Sequence, residues 1–282
     1  MCSKCGRDDP LPSGTNTQPE PSTAHGHAHI HSHAHAPAHH HHHHHGHGTP
    51  SAAEMNAEYY DREAANYENM PGARELLKDI AIKMRESATF DASTTRVLDF
   101  ACGIGMLSRE LAPYAKSIVG VDISPVSVAI YNHKANGLGA TDKMRAVALD
   151  LQKTSGELKE QTFDIVVCSM AWHHFDDPDT YTKILARFLA PGGKLLVVDH
   201  MGKPAGEGTL PMPDSLKGVV PQIQGFSDDR MKEMFDSAGL VDMRYRKAFR
   251  VPLPIPDMPH LTEEERTADL FLAEGTRPTQ KL

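Results

Sequence analysis

The 282-residue chain carries 29 Lys and Arg against 37 Asp and Glu, a formal net charge of −8 with its 19 histidines neutral. That balance disfavours electrostatic capture of nucleic acid, which needs a clustered basic surface. Four cysteines make no disulfide framework, no apolar run reaches the roughly 20 residues that span a bilayer, and the amino terminus lacks the apolar core of a secretory signal. The expectation is a soluble protein of a reducing compartment, cytoplasmic, with the nucleus as an additional location.

Residues 1–50 differ in composition from the rest. Cys2 and Cys5 precede a Pro/Ser/Thr/Gly stretch, and histidines then alternate from His25 into the uninterrupted run His39–His45. With almost nothing apolar to bury, the segment reads as a disordered, pH-sensitive tail. Its imidazoles suit weak transition-metal binding without fixed geometry, and the lone Cys2-x-x-Cys5 lacks the second pair of a structural zinc site. Residues 51–282 are long enough for one α/β domain with its own core.

Ala52 to Ser87 predicts two helices broken at Met70-Pro71-Gly72, the first carrying Tyr59, Tyr60 and Tyr67. Arg96 to Leu111 then predicts a buried strand, a glycine turn and an amphipathic helix. Asp99 stands at the strand's carboxyl end, and Gly103 and Gly105 let the backbone turn closely around a ligand. A dinucleotide site wants a third glycine three positions on, where this chain has Ser108. Ser117–Asp122 predicts the second strand, ending in an acid able to accept hydrogen bonds from a ribose diol, with Ile123 beside it as an apolar face for adenine. Ser124 and Pro125 open the next helix. Met144–Leu149 is a third strand, followed by a third acid, Asp150.

Phe163 to Asp177 reads as a strand and then a polar, aromatic loop, with His173 and His174 as the paired histidines outside the tail. His173 is the candidate general base; packing or helix capping by Trp172, His174 and Phe175 is the alternative. Phe188 to Asp199 supplies a helix end, a Pro-Gly-Gly turn and a buried strand. Residues 202–226 form a proline- and glycine-rich insertion, Ser227–Gly239 a capped helix, and Asp242–Phe249 with Leu270–Glu274 a closing pair of strands joined by an acidic loop, Asp257–Arg266.

The run Asp99, Ala101, Gly103, Gly105 resembles motif I of class I S-adenosylmethionine-dependent methyltransferases, with alanine in the first glycine's place. Alanine there disfavours a left-handed backbone. The likeness extends in order through Asp122, Asp150, the loop after the fourth strand and the Pro-Gly-Gly turn, covering about 52–278. It implies a Rossmann-like, seven-stranded, mostly parallel sheet with helices on both faces and a carboxy-terminal antiparallel hairpin. It also implies S-adenosylmethionine held by Asp99, Ala101, Gly103, Gly105, Asp122, Ile123, Asp150, Leu151 and Ser169, with Asp150 receiving the adenine amino group and the Leu151 N–H a ring nitrogen. The first helix would lie over the cofactor as a lid, and residues 202–226 would build the acceptor pocket. The wider pattern is similar to the ubiquinone-biosynthesis-like, small-molecule branch, which implies a small-molecule acceptor. Protein methylation, and a methyltransferase-like subunit working through a protein partner, stay open beside it.

Overall fold

The computed structural model describes residues 50–202, 214–216, 218–253 and 261–279. The tail reading for 1–49, much of the 202–226 insertion and part of the loop before residue 261 lie outside the described residues.

Strands β1 (Arg96–Phe100), β2 (Ser117–Asp122), β3 (Met144–Ala148), β4 (Phe163–Ser169), β5 (Leu189–His200), β6 (Val241–Pro252) and β7 (Thr267–Thr276) form one sheet. Its order is β3-β2-β1-β4-β5-β7-β6. The first five run parallel, and β7 and β6 close the sheet antiparallel. The fold class implied by the motifs is therefore the one observed. Parallel strands covered on both faces need near-continuous apolar runs, as in β1 and β4. Neighbouring residues go to opposite sides. Leu98, Val166 and Val197 pack with Met231 and Phe235, whereas Val97, Ile165 and Leu196 pack with Ile80, Leu107 and Tyr131.

The helices are α1 (Ala52–Tyr67), α2 (Ala73–Ser87), α3 (Met106–Leu111), α4 (Pro125–Gly137), α5 (Pro178–Phe188) and α6 (Asp228–Ser237). Ser51 and Glu54 close a reciprocal capping box on α1, and Ser124, Asp177 and Ser227 cap α4, α5 and α6 through side-chain oxygens. Gly72, left-handed at φ 78°, makes the turn between α1 and α2.

Three expectations are corrected. β5 begins at Leu189, so Pro191-Gly-Gly193 is not a turn before the strand but a bulge inside it: Phe163 faces Leu189 while Ile165 faces Lys194. β6 and β7 are longer than expected because they pair with each other across two register shifts. Ala101 adopts φ 55° although it carries a Cβ.

The sheet also fits α6 closely. A Cβ at Gly275 on β7 would stand 2.5 Å from Cδ2 of the fully buried Phe235. Gly275→Ala should therefore destabilise the domain by about 1–3 kcal/mol, and adding Phe235→Leu should recover part of the loss in urea unfolding. A Gly275→Ala chain as stable as the parent would contradict this packing.

Candidate functional site

The chain runs from β1 outward through β2 and β3, then returns to place β4 on the other side of β1. Open α/β sheets bind ligands beyond the strand ends at such a reversal. Here a cavity of about 1150 Å³, counted with its open mouth, sits at that point, and β1, β2, β3 and β4 all contribute their carboxyl ends or following loops.

Asp99, Ala101, Gly103, Asp122, Ile123, Asp150, Leu151 and Ser169 all lie on its wall. Gly103 has φ 50° and open space where a Cβ would be, so the cradle is shaped by bare backbone. Asp122 already accepts the Gly103 N–H at 2.7 Å on Oδ2 and the Ser124 N–H at 2.9 Å on Oδ1. Each oxygen keeps a second lone pair for a ligand hydroxyl. Asp150 accepts the Gln152 N–H at 3.0 Å and pairs with Lys153 at 3.2 Å, which turns its carboxylate partly toward its own loop.

Two nominated residues are elsewhere. Gly105 is not on the wall; it stands at the start of α3 with φ 80°, and a Cβ there would meet the Tyr131 ring at 2.5 Å. Its role is to let α3 and α4 close on each other. His173 is not on the wall either. Its Nδ1 lies 2.7 Å from Oδ1 of Asp199, at the end of β5, whose Oδ2 accepts the Trp172 N–H at 2.7 Å. The short 3₁₀ turn Trp172–His174 points successive side chains in different directions, and it is His174 that reaches the cavity.

His174 completes a dyad absent from the motif reading. Its Nδ1 lies 2.8 Å from the Val219 carbonyl and its Nε2 2.8 Å from the Tyr60 hydroxyl. A carbonyl only accepts, so Nδ1 carries the proton and the Tyr60 O–H donates to Nε2. Burial, with His173 adjacent, pushes His174 down to about 3, which keeps it neutral, and burial raises Tyr60 far above an ordinary phenol. Tyr60 belongs to the α1 stripe Ala53, Asn56, Tyr60, Ala64, Tyr67, which lines the cavity at helical spacing. Tyr59 is not in that stripe and meets Tyr60 edge-on at 5.1 Å.

Among the described residues, three other than glycine are left-handed: Ala101 and Met170, just beyond β1 and β4 and both lining the cavity, and Asp242 at the start of β6, away from it. Each such residue costs about 1–2 kcal/mol, and strain of this kind gathers at ligand sites.

Among proteins of known sequence, residues 98–197 match the family described as "Methyltransferase domain". The chain is 38% identical over 150 residues to the uncharacterized methyltransferase C1347.09 of Schizosaccharomyces pombe, an alignment covering 51% of this chain and 52% of that protein. It is 34% identical over 113 residues to a ubiquinone biosynthesis O-methyltransferase of Xanthomonas oryzae, covering 39% and 45%. The chain thus spans about half the length, or less, of these curated relatives. Among solved structures, the [4+2]-cyclase SpnF superposes with a TM-score of 0.63 at 17% identity, over 82% of this chain and 97% of that one. Phosphoethanolamine N-methyltransferase 2 of Haemonchus contortus, in complex with S-adenosyl-L-methionine, gives 0.60 at 18% identity over 82% and 61%. The fold and site define a Rossmann-like α/β domain built to hold a ligand at the sheet's carboxyl edge. More particularly, residues 98–197 are similar to the methyltransferase domain family, and the surrounding sheet has the fold of the superposing methyltransferases.

Asp99 offers a test of the site's electrostatics. Burial raises it to about 7; its hydrogen bond from Ser108 opposes the rise, and the charge of Asp122 adds to it. A folded pKa above the unfolded value contributes stability that is full below about pH 4 and is lost as pH rises through 7. The loss is at most on the order of 4 kcal/mol. Asp99→Asn, which keeps the acceptor for Ser108, should flatten that part of the stability profile between pH 4 and 8 in thermal melts. A slope unchanged by the substitution would contradict the assignment.

Proposed function

We propose that this protein transfers a methyl group from S-adenosylmethionine to a small-molecule acceptor in the cytoplasm. The observation that carries the reading is one cavity walled on one side by Gly103, Asp122 and Asp150, and on the other by the Tyr60–His174 dyad under α1. Fold alone does not decide a reaction, since one of the superposing proteins is a cyclase by name. A ligand crevice at the strand ends is common to open α/β sheets; the hydrogen-bonded Tyr60–His174 pair adds a group suited to handling a proton at this one.

The chain's residues fit the cofactor. Gly103 leaves room for close backbone approach, Asp122 and Asp150 present carboxylate oxygens, and Ile123 and Leu151 give apolar surface. When bound, S-adenosylmethionine supplies a methyl carbon on a positively charged sulfur. The protein has to bring an acceptor lone pair into line with it and exclude water. Asn56 is suited to this: its Nδ2 reaches the carbonyls of Ala52, His174 and Val219, while Oδ1 has no partner among the described residues. An acceptor hydroxyl or ammonium can donate to that oxygen. The Tyr60 oxygen, while donating its O–H to His174 Nε2, keeps its lone pairs for a ligand in the cavity it lines. The acceptor's O–H or N–H becomes strongly acidic as the methyl arrives, so a neutral dyad is sufficient to take the proton late.

Calorimetry should show saturable S-adenosylmethionine binding, weakened about tenfold or more by Asp122→Ala, and no heat from NADH. Equal heat from both ligands would defeat the proposal. Because a cationic ligand favours ionised Asp99, affinity should rise with pH through about 7; a pH-independent affinity would remove Asp99 from the site. Tyr60→Phe and His174→Gln should each lower turnover about 100-fold with cofactor affinity retained. With labelled cofactor and a cell extract split into metabolite and protein fractions, label should enter the metabolites. Label confined to the protein fraction would instead favour protein methylation.

A further inference from the structure

The carboxyl end of β5 gathers a second group of side chains outside the cavity wall. One donor atom from each of His173, Asp199 and His200 lies within 4.8 Å of the other two, and all three residues are buried. None of the three lines the cavity. His173 Nδ1 and Asp199 Oδ1 are 2.7 Å apart. Independently, His200 is 7% exposed and its Nδ1 is buried without a hydrogen-bond partner among the described residues. A buried polar nitrogen left unpaired costs free energy that a ligand would recover.

We propose that His173, Asp199 and His200 hold a divalent transition-metal ion of the zinc class. Two imidazole nitrogens and one carboxylate oxygen suit Zn²⁺, Co²⁺ or Fe²⁺, whereas Mg²⁺ and Ca²⁺ favour all-oxygen shells. Zinc ligands at about 2.0–2.1 Å stand about 3–3.5 Å from one another. The 2.7 Å contact therefore widens slightly and the longest spacing closes, small movements for side chains on one strand end and one turn. The carboxylate is oriented beforehand, because the N–H groups of Trp172 and His173 hold Oδ2 at 2.7 and 3.3 Å, and the His200 N–H holds Oδ1 at 2.6 Å. The ion takes the place of the hydrogen bond between His173 Nδ1 and Asp199 Oδ1; the neutral His173 ring then carries its one proton on Nε2 and ligates through Nδ1, so no net proton is lost. Three protein ligands leave a position for water. The ion ties β5 to the turn carrying His174, whose ring centroid is 4.2 Å from that of His173, and so positions the dyad. This inference stands whether or not the methyl-transfer reading does.

Residues 25–47 carry a histidine-rich run in the full chain, so the test uses full-length chains that keep it in every variant. Parent, His173→Gln, His200→Gln and, as a control, the exposed His133→Gln are loaded with Zn²⁺, passed over a chelating resin and assayed for metal. Parent and control should retain about one equivalent more than the other two, and Zn²⁺ should raise the thermal midpoint of parent and control only. Equal retention and equal midpoint shifts in all four chains would overturn the site. Should His200→Gln fail to fold by circular dichroism, His200→Cys loaded with Co²⁺ decides: a thiolate-to-cobalt band stronger by about one equivalent than any that Cys2 and Cys5 give in the parent supports the site, and a band equal to the parent's refutes it.

Discussion

The arrangement depends on one buried carboxylate. Asp122 accepts N–H groups from Gly103, in the turn after β1, and from Ser124, at the start of α4. Those two bonds tie the ends of adjacent strands to each other and shape the floor of the cavity. Ser124 passes the connection on: its Oγ accepts the Ser127 N–H as the α4 cap and donates to Asp61 of α1 at 2.6 Å. One acid thus links the sheet, α4 and α1 through a chain of hydrogen bonds with buried members, where each bond is stronger than in water and each loss leaves an unpaired group.

Helix α1, on the cavity wall, is held differently from the core. α1 presents small and aromatic residues to the cavity, but its attachments are largely polar: Asn56 to the backbone around His174 and Val219, Tyr60 to His174, and Asp61 to Ser124. At its far end Glu68 draws Arg74, Arg109 and Lys134, three cations from three helices onto one carboxylate. The partly exposed ion pairs on Glu68 can be exchanged for water at modest cost, whereas the buried bonds of Asn56, Ser124 and His174 each leave an unpaired group when broken.

What the sequence made legible follows the range of the forces involved. Strand runs, caps and the Gly72 break depend on neighbours within a few positions, and the acids at 99, 122 and 150 fall at strand ends because the βα repeat is regular. The left-handed turn at Ala101 was hidden, since local preference argues against it and only the surrounding sheet and helix impose it. Gly105 looked like part of a ligand cradle because its real neighbour, Tyr131, lies 26 positions away. The insertion after β5 carries no periodicity from which a pocket is readable.

The paired histidines show where pattern reading stops. Both are similarly buried and adjacent in sequence, and no motif separates them. Their difference arises from partners far along the chain. Asp199 captures His173 Nδ1 and holds the backbone of the turn, while the Val219 carbonyl fixes the proton of His174 on Nδ1 and leaves Nε2 for Tyr60. Burial drives Asp199 up, but the charge and hydrogen bond of His173, joined by His200, bring it to about 2, so the carboxylate stays ionised and its hold on the turn persists across the physiological range. The anion that takes one histidine out of the cavity is therefore what aims the other into it.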